Sequence, residues 1–214
     1  MLSRLQYISQ GKTPQDHLHN IQSALDAGCN WVQLRLKQQE EHVVLQFAVE
    51  VRKCCEAYNA VFIVNDFAHV AQAVDAHGVH VGLSDMSVHA VRQILGAGKI
   101  IGGTANTLED VRKRIEEQCD YIGLGPFRFT ATKEKLSPVL GIQGYQRIMK
   151  ALAVEKADIP VYAIGGITEE DLEMIMETGV HGVALSGVIT QAADQKQLVQ
   201  QLNEKLNGTF TYSR

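Results

Sequence analysis

The sequence predicts an α/β protein folded as one closed barrel of eight parallel strands, each followed by a helix. Two observations carry this. Apolar runs of strand length alternate with stretches of helical period, the rhythm of parallel βαβ units. Charged and small polar residues also come directly after the apolar runs: QLRLK (33–37) after Trp31-Val32, Asn65-Asp66 after VFIV, and Gly165-Gly166 after PVYAI. In parallel sheets the side chains at the carboxyl ends of the strands converge on one rim, so this rhythm marks a chemical face.

In chain order, the predicted strands are 4–9, 31–36, 61–65, 78–81, 100–104, 121–124, 161–164 and 182–185. Amphipathic helices are expected between them, among them 14–27, 41–58 and 168–177. In the last of these, Thr168 is read as an N-cap, and Glu169, Glu170 and Asp171 suit the positive end of a helix. No Pro/Ser linker or shift of composition divides the chain, which places residues 1–208 in a single (βα)8 TIM barrel and leaves 209–214 (TFTYSR from 209) as a polar tail. A doubly wound open sheet is the alternative.

The 214 residues are 45% hydrophobic and 21% charged with a formal net charge of −4, an ordinary globular balance without the basic footprint of a nucleic-acid binder. A chain of this length buries about 70% of its unfolded surface and needs no staple. Cys29, Cys54, Cys55 and Cys119 form no CxxC pair, so they read as buried thiols in a reducing compartment. The first twelve residues, MLSRLQYISQGK, have no long apolar core, and no run approaches the roughly 18 residues that cross a bilayer. A cytoplasmic protein that engages neither nucleic acid nor membrane is expected; a homo-oligomer is left open.

Asp66 and Asp85 follow adjacent strands, so their carboxylates are expected to meet at one rim, where two hard oxygen ligands with room for water suit Mg2+. Read singly, Asp66 is a helix cap and Asp85 a turn residue. Arg35 and Lys37 alternate with Leu34 and Leu36 and so share a side with Gln33. Two cations facing a barrel interior call for a bound anion; an ion pair with Glu40 or Glu41 is the plainer reading.

The long connection GPFRFTATKEK (125–135) carries Thr130, Ala131, Thr132 and Lys133, hydroxyls and a mobile charge suited to phosphate oxygens, unless it is only a solvated loop. Gly165-Gly166 and Ser186-Gly187 follow the seventh and eighth strands, where barrel enzymes hold phosphate on backbone N–H groups. His77 and His80 lie three apart, on opposite faces of a strand, and read as structural; Met174 and Met176 read as helix packing.

Taken in order, QLRLK, VND, GVHVGLSD, GGTANT, DYIGLGPFRFTATK, AIGGI and GVALSGVI, spanning Gln33 to Ile189, resemble the thiamine-phosphate synthase and thiazole tautomerase family. The resemblance implies an enzyme that joins 4-amino-2-methyl-5-(diphosphooxymethyl)pyrimidine to 4-methyl-5-(2-phosphooxyethyl)thiazole and releases pyrophosphate. It implies that Gln33, Leu34, Arg35, Leu36 and Lys37, with Asn65, Thr104 and Lys133, hold the pyrimidine diphosphate, and that Asp66 and Asp85 hold Mg2+. Thr130, Ala131, Thr132, Gly165, Gly166, Ser186 and Gly187 would take the thiazole phosphate. Arg35, Lys37 and Lys133 would stabilise the departing pyrophosphate.

Thr104 stands where the family usually has Ser, Leu83 where Gln is common, Gly187 where Ser is frequent, and Ser9-Gln10 where Thr-Asp is common. A tautomerase needs a histidine after the sixth strand, where this chain has Pro126. A Schiff-base aldolase or phosphosugar isomerase working through Lys37 or Lys133 is disfavoured by Arg35 beside Lys37. A non-catalytic ligand sensor has no need of both carboxylates.

Overall fold

The structure, a computed structural model, describes residues 2–129 and 138–208. Its strands are β1 (Leu5–Ile8), β2 (Trp31–Leu34), β3 (Val61–Asn65), β4 (Gly78–Val81), β5 (Ile100–Ala105), β6 (Tyr121–Leu124), β7 (Val161–Ile164) and β8 (Gly182–Leu185). Each runs parallel to its sequence neighbours, and β1 pairs with β8 to close the barrel, so the open sheet is excluded.

Five strands have the predicted limits. Three differ: β5 runs one residue further, while β1 and β2 are shorter than the predicted 4–9 and 31–36. The cause is local at β2: the Arg35 N–H donates to the Ser9 hydroxyl at 2.9 Å instead of continuing the ladder.

The helices among the described residues are α1 (Pro14–Asp26), α2 (Glu41–Ala57), α3 (Ala68–Ala73), α4 (Val88–Leu95), α5 (Leu108–Glu116), α6 (Gly141–Glu155), α7 (Leu172–Met176), α8 (Gly187–Thr190) and α9 (Gln195–Asn207). Several of their starts follow short polar side chains. Thr13 and Thr107 build reciprocal caps with Asp16 and Asp110, and Ser87 accepts from the Ala90 N–H. The predicted helix 168–177 is instead a 3-10 turn, Glu169–Asp171, followed by α7. Asp171 folds back to accept from the Thr168 N–H (2.8 Å) and hydroxyl (2.9 Å), and it pairs with Arg128.

Strand alternation splits the core in two. Val32, Leu34, Phe62, Val64, Val79, Val81 and Ile101 pack outward against the helices. Inside the barrel, Trp31, Ile63, Tyr121 and Tyr162 form a separate cluster that Leu2, Val61 and Ile100 extend toward the amino ends of the strands. Trp31 meets Tyr121 and Tyr162 edge-on, with ring centroids 5.0 and 4.8 Å apart, a favourable aromatic geometry. These rings fill the lower half of the barrel. Cys29, Cys55 and Cys119 are buried, and burial pushes each thiol up to about 12. No helix among the described residues is long and apolar enough to cross a membrane.

Candidate active site

Above the aromatic rings, at the carboxyl ends of the strands, lies a cavity of about 1060 Å³. Inward positions of the strands supply its floor: Ile8, Gln33, Asn65, His80, Thr104, Gly123 and Ile164. Its walls come from the segments that follow β1 to β5, with Pro138 from the segment after β6. A volume of this order holds two small organic phosphates side by side.

Gln33 and Asn65 are buried on adjacent strands, and the Gln33 amide donates to the Asn65 Oδ1 at 2.7 Å. The Gln33 Oε1 is buried without a hydrogen-bond partner among the described residues. Such an acceptor costs about 1–3 kcal/mol unless a ligand donates to it. Arg35 and Lys37 both line the cavity although β2 ends before them. Leu36 lines it too, while its side chain joins the outer core. Leu34 faces the helices and is not part of the lining.

Asp66 and Asp85 do meet. Asp66 Oδ2 lies 3.1 Å from the Lys37 Nζ, and the Asp85 carboxylate is near enough to act on the Asp66 carboxyl. Asp66 has a left-handed backbone with φ 68°, which Asp tolerates better than most residues, and its N–H is anchored on the His80 carbonyl at 2.8 Å. Burial, and then the neighbouring Asp85 carboxylate, raise its pKa to about 6 against the pull of Lys37. Asp85 is itself held by the Gly82 N–H at 2.7 Å. Two neighbouring carboxylates are oxygen donors of the kind that suit a hard cation. Among the described residues no third His, Cys, Asp or Glu converges there.

Lys37 therefore pairs with Asp66, where the sequence left Glu40 and Glu41 as candidates.

Thr104 lines the cavity, its hydroxyl 3.0 Å from His80 Nε2. The opposite ring nitrogen of His80 lies 3.0 Å from the Tyr121 hydroxyl, so the imidazole links the site to the aromatic floor. Sequence reading set His80 aside with His77. His77 is structural, its Nδ1 accepting from the Phe62 N–H at 3.0 Å, but His80 faces the cavity. Its parity with Gly78 on β4 was the available signal.

Ser9 and His17 were also missed. The Ser9 hydroxyl accepts from the Arg35 N–H and lies 2.8 Å from His17 Nδ1, both residues being buried. Burial lowers the His17 pKa, and the nearby Arg35 charge adds to this.

Gly165 and Gly166 both have positive φ, 96° and 70°, and neither belongs to the cavity lining, which Ile164 supplies at this edge. A side chain at Gly165 would also strike Pro126. Arg128 holds the turn: its N–H donates to the Gly165 carbonyl and its guanidinium to the Gly166 carbonyl, each at 2.9 Å. The Ser186 hydroxyl donates to Gln10 Oε1 at 3.3 Å, and Gly187 opens α8. Gln10 lines the cavity; Ser186 and Gly187 do not. Thr130, Ala131, Thr132 and Lys133 lie outside the described residues.

Comparison with known proteins points one way. Residues 5–209 match the family described as thiamine monophosphate synthase. The chain is 55% identical over 206 residues to the thiamine-phosphate synthase of Flavobacterium johnsoniae, covering 96% of this chain and 97% of the relative. With that of Bacteroides fragilis the identity is 46% over 194 residues, covering 91% and 95%. Among solved structures, thiamine phosphate pyrophosphorylase from Pyrococcus furiosus superposes with a TM-score of 0.81 at 29% identity, covering 95% of each chain. A 3-hexulose-6-phosphate synthase at 14% identity and a TM-score of 0.71 shares the barrel alone. With the paired carboxylates, the cationic segment after β2 and the match over nearly its whole length, the chain belongs to the thiamine monophosphate synthase family.

Proposed function

We propose that the cavity joins 4-amino-2-methyl-5-(diphosphooxymethyl)pyrimidine to 4-methyl-5-(2-phosphooxyethyl)thiazole, forming thiamine phosphate and pyrophosphate. The observation that carries this reading is the gathering of Asp66, Asp85, Lys37 and Arg35 on one cavity, with Lys37 paired to Asp66 at 3.1 Å. The relatives' printed name, thiamine-phosphate synthase, supports the same reaction.

Asp66 and Asp85 would hold Mg2+, which when bound supplies positive charge at the diphosphate. The buried Gln33 Oε1 suits the 4-amino group of the pyrimidine, with Asn65 fixing the Gln33 amide and Thr104 offering a hydroxyl. Arg35 and Lys37 stabilise the diphosphate as the bond from its oxygen to the pyrimidine methylene breaks, the electron pair leaving with the oxygen. The resulting pyrimidinylmethyl cation is captured by the thiazole nitrogen, whose lone pair makes the new C–N bond.

No side chain acts as a nucleophile. The residues' work is to orient two substrates and keep water from the cation. Lys37, ion-paired to Asp66 and with Arg35 on the same cavity, is unsuited to a Schiff base. Lys133 is assigned to the diphosphate, and Thr130, Ala131, Thr132, Gly165, Gly166, Ser186 and Gly187 to the thiazole phosphate, on the family resemblance. We place the enzyme in the cytoplasm, which its unpaired cysteines support, with the two small substrates as partners and a homo-oligomer still an open expectation.

Pyrophosphate release with both substrates, measured across Mg2+ concentrations, tests the proposal. Metal-dependent release that requires the thiazole phosphate is expected. No product at any Mg2+ concentration would overturn it.

A further inference from the structure

Arg114 on α5 is only 3% exposed and takes no part in lining the cavity. Its guanidinium nevertheless reaches three acceptors. Nε donates to the Thr104 carbonyl at 3.0 Å, Nη2 to the Gly82 carbonyl at 2.8 Å, and Nη1 to Glu117 Oε2 at 2.7 Å. Thr104 is in β5 and Gly82 directly follows β4, so one side chain spans two neighbouring strand ends. Gly82 is gripped from the other side as well, because its N–H donates to the Asp85 carboxylate at 2.7 Å.

The chain leaves room for this arrangement at two glycines. A Cβ on Gly103 would lie 2.7 Å from the Arg114 Cδ and 2.8 Å from its Nε; one on Gly82 would lie 2.6 Å from Asp85 Oδ2. A buried guanidinium costs several kcal/mol unless its donors are paired, and an apolar side chain of the same volume is often as stable. Stability alone therefore does not account for an arginine here.

We infer that Arg114 is a positioning residue: it locks the ends of β4 and β5 together, fixing the spacing at which Asp85 and Thr104 face the cavity. The inference rests on the reading that Asp85 holds the divalent cation and Thr104 touches the pyrimidine. Lysine at this position keeps the charge but lacks the planar fork that serves two carbonyls and a carboxylate at once.

Hydrogen exchange on ligand-free Arg114→Lys tests the lock itself. Faster exchange is expected in 82–85 and 104–107, with the rest of the barrel at the parent rate. In calorimetry with inorganic pyrophosphate plus Mg2+ as the probe, affinity should fall about 10- to 100-fold, as when a group supporting a metal ligand is removed. Gly103→Ala, which keeps Arg114 but displaces it, should give both changes, and it decides the matter if Arg114→Lys does not fold. Parent-like exchange in both segments, or a uniform rise across the barrel, overturns the inference whatever the cavity binds. Failure of the parent protein to bind pyrophosphate with Mg2+ would overturn the assigned reaction instead, and the exchange data would still judge the lock.

Discussion

Asp66 carries the strongest tension of any single residue in the cavity. The folded protein retains its proton up to about pH 6, whereas an unfolded chain releases it near about pH 4. This group therefore favours the folded state at low pH, and its contribution is lost as pH rises through about 6. Without divalent cations, Asp66→Asn should melt higher than the parent at pH 7, by roughly 2–4 °C for each kcal/mol relieved, with the gap closing toward pH 4. Asparagine keeps the left-handed backbone accessible, and the Lys37 pair it removes is half exposed and worth little. In the parent, added Mg2+ should raise the melting temperature more at pH 7.5 than at pH 5; equal shifts would detach the metal from this carboxylate. Asp85→Ala should abolish Mg2+-dependent pyrophosphate release with the circular dichroism spectrum unchanged. The sequence exposed these acids because each follows a strand. Ser9, His80 and Arg114 stayed hidden because their importance depends on partners from other strands, Arg35, Thr104 and Gly82, that no spacing along the chain reveals.

At the level of the element, the segment joining β1 to α1 forms one wall, and its anchor is the reciprocal cap between Thr13 and Asp16. Thr13→Ala should cost about 1 kcal/mol of stability and raise the KM of the pyrimidine diphosphate, as unfolding curves and initial rates would show. Strand and helix positions were readable from hydrophobic period and capping residues. The element at 168–177 keeps its predicted cap and differs only in its first turn, for a tertiary reason. Thr168 and the acids after it do mark a helix start, and Asp171 both closes the cap on Thr168 and pairs with Arg128 beside the Gly165-Gly166 turn, where the first turn takes 3-10 form. An ion pair across 43 positions leaves no trace in a local pattern.

The whole molecule depends on one seam. Closure joins β1 to β8, and a Cβ on Gly182 would lie 2.1 Å from the Arg4 carbonyl, the same oxygen that accepts from the Val183 N–H. Gly182→Ala should therefore cost above about 4 kcal/mol, among the largest single-residue effects, and lower the melting temperature by more than about 10 °C. That the barrel closes was readable from eight units without a linker; how tightly it closes was not.

The packed rings of Trp31, Tyr121 and Tyr162 have a consequence for traffic. They stopper the lower end, so among the described residues the cavity opens at the carboxyl ends of the strands. Pyrophosphate released there occupies the pocket of the next diphosphate, and the two should exclude each other as competitive ligands.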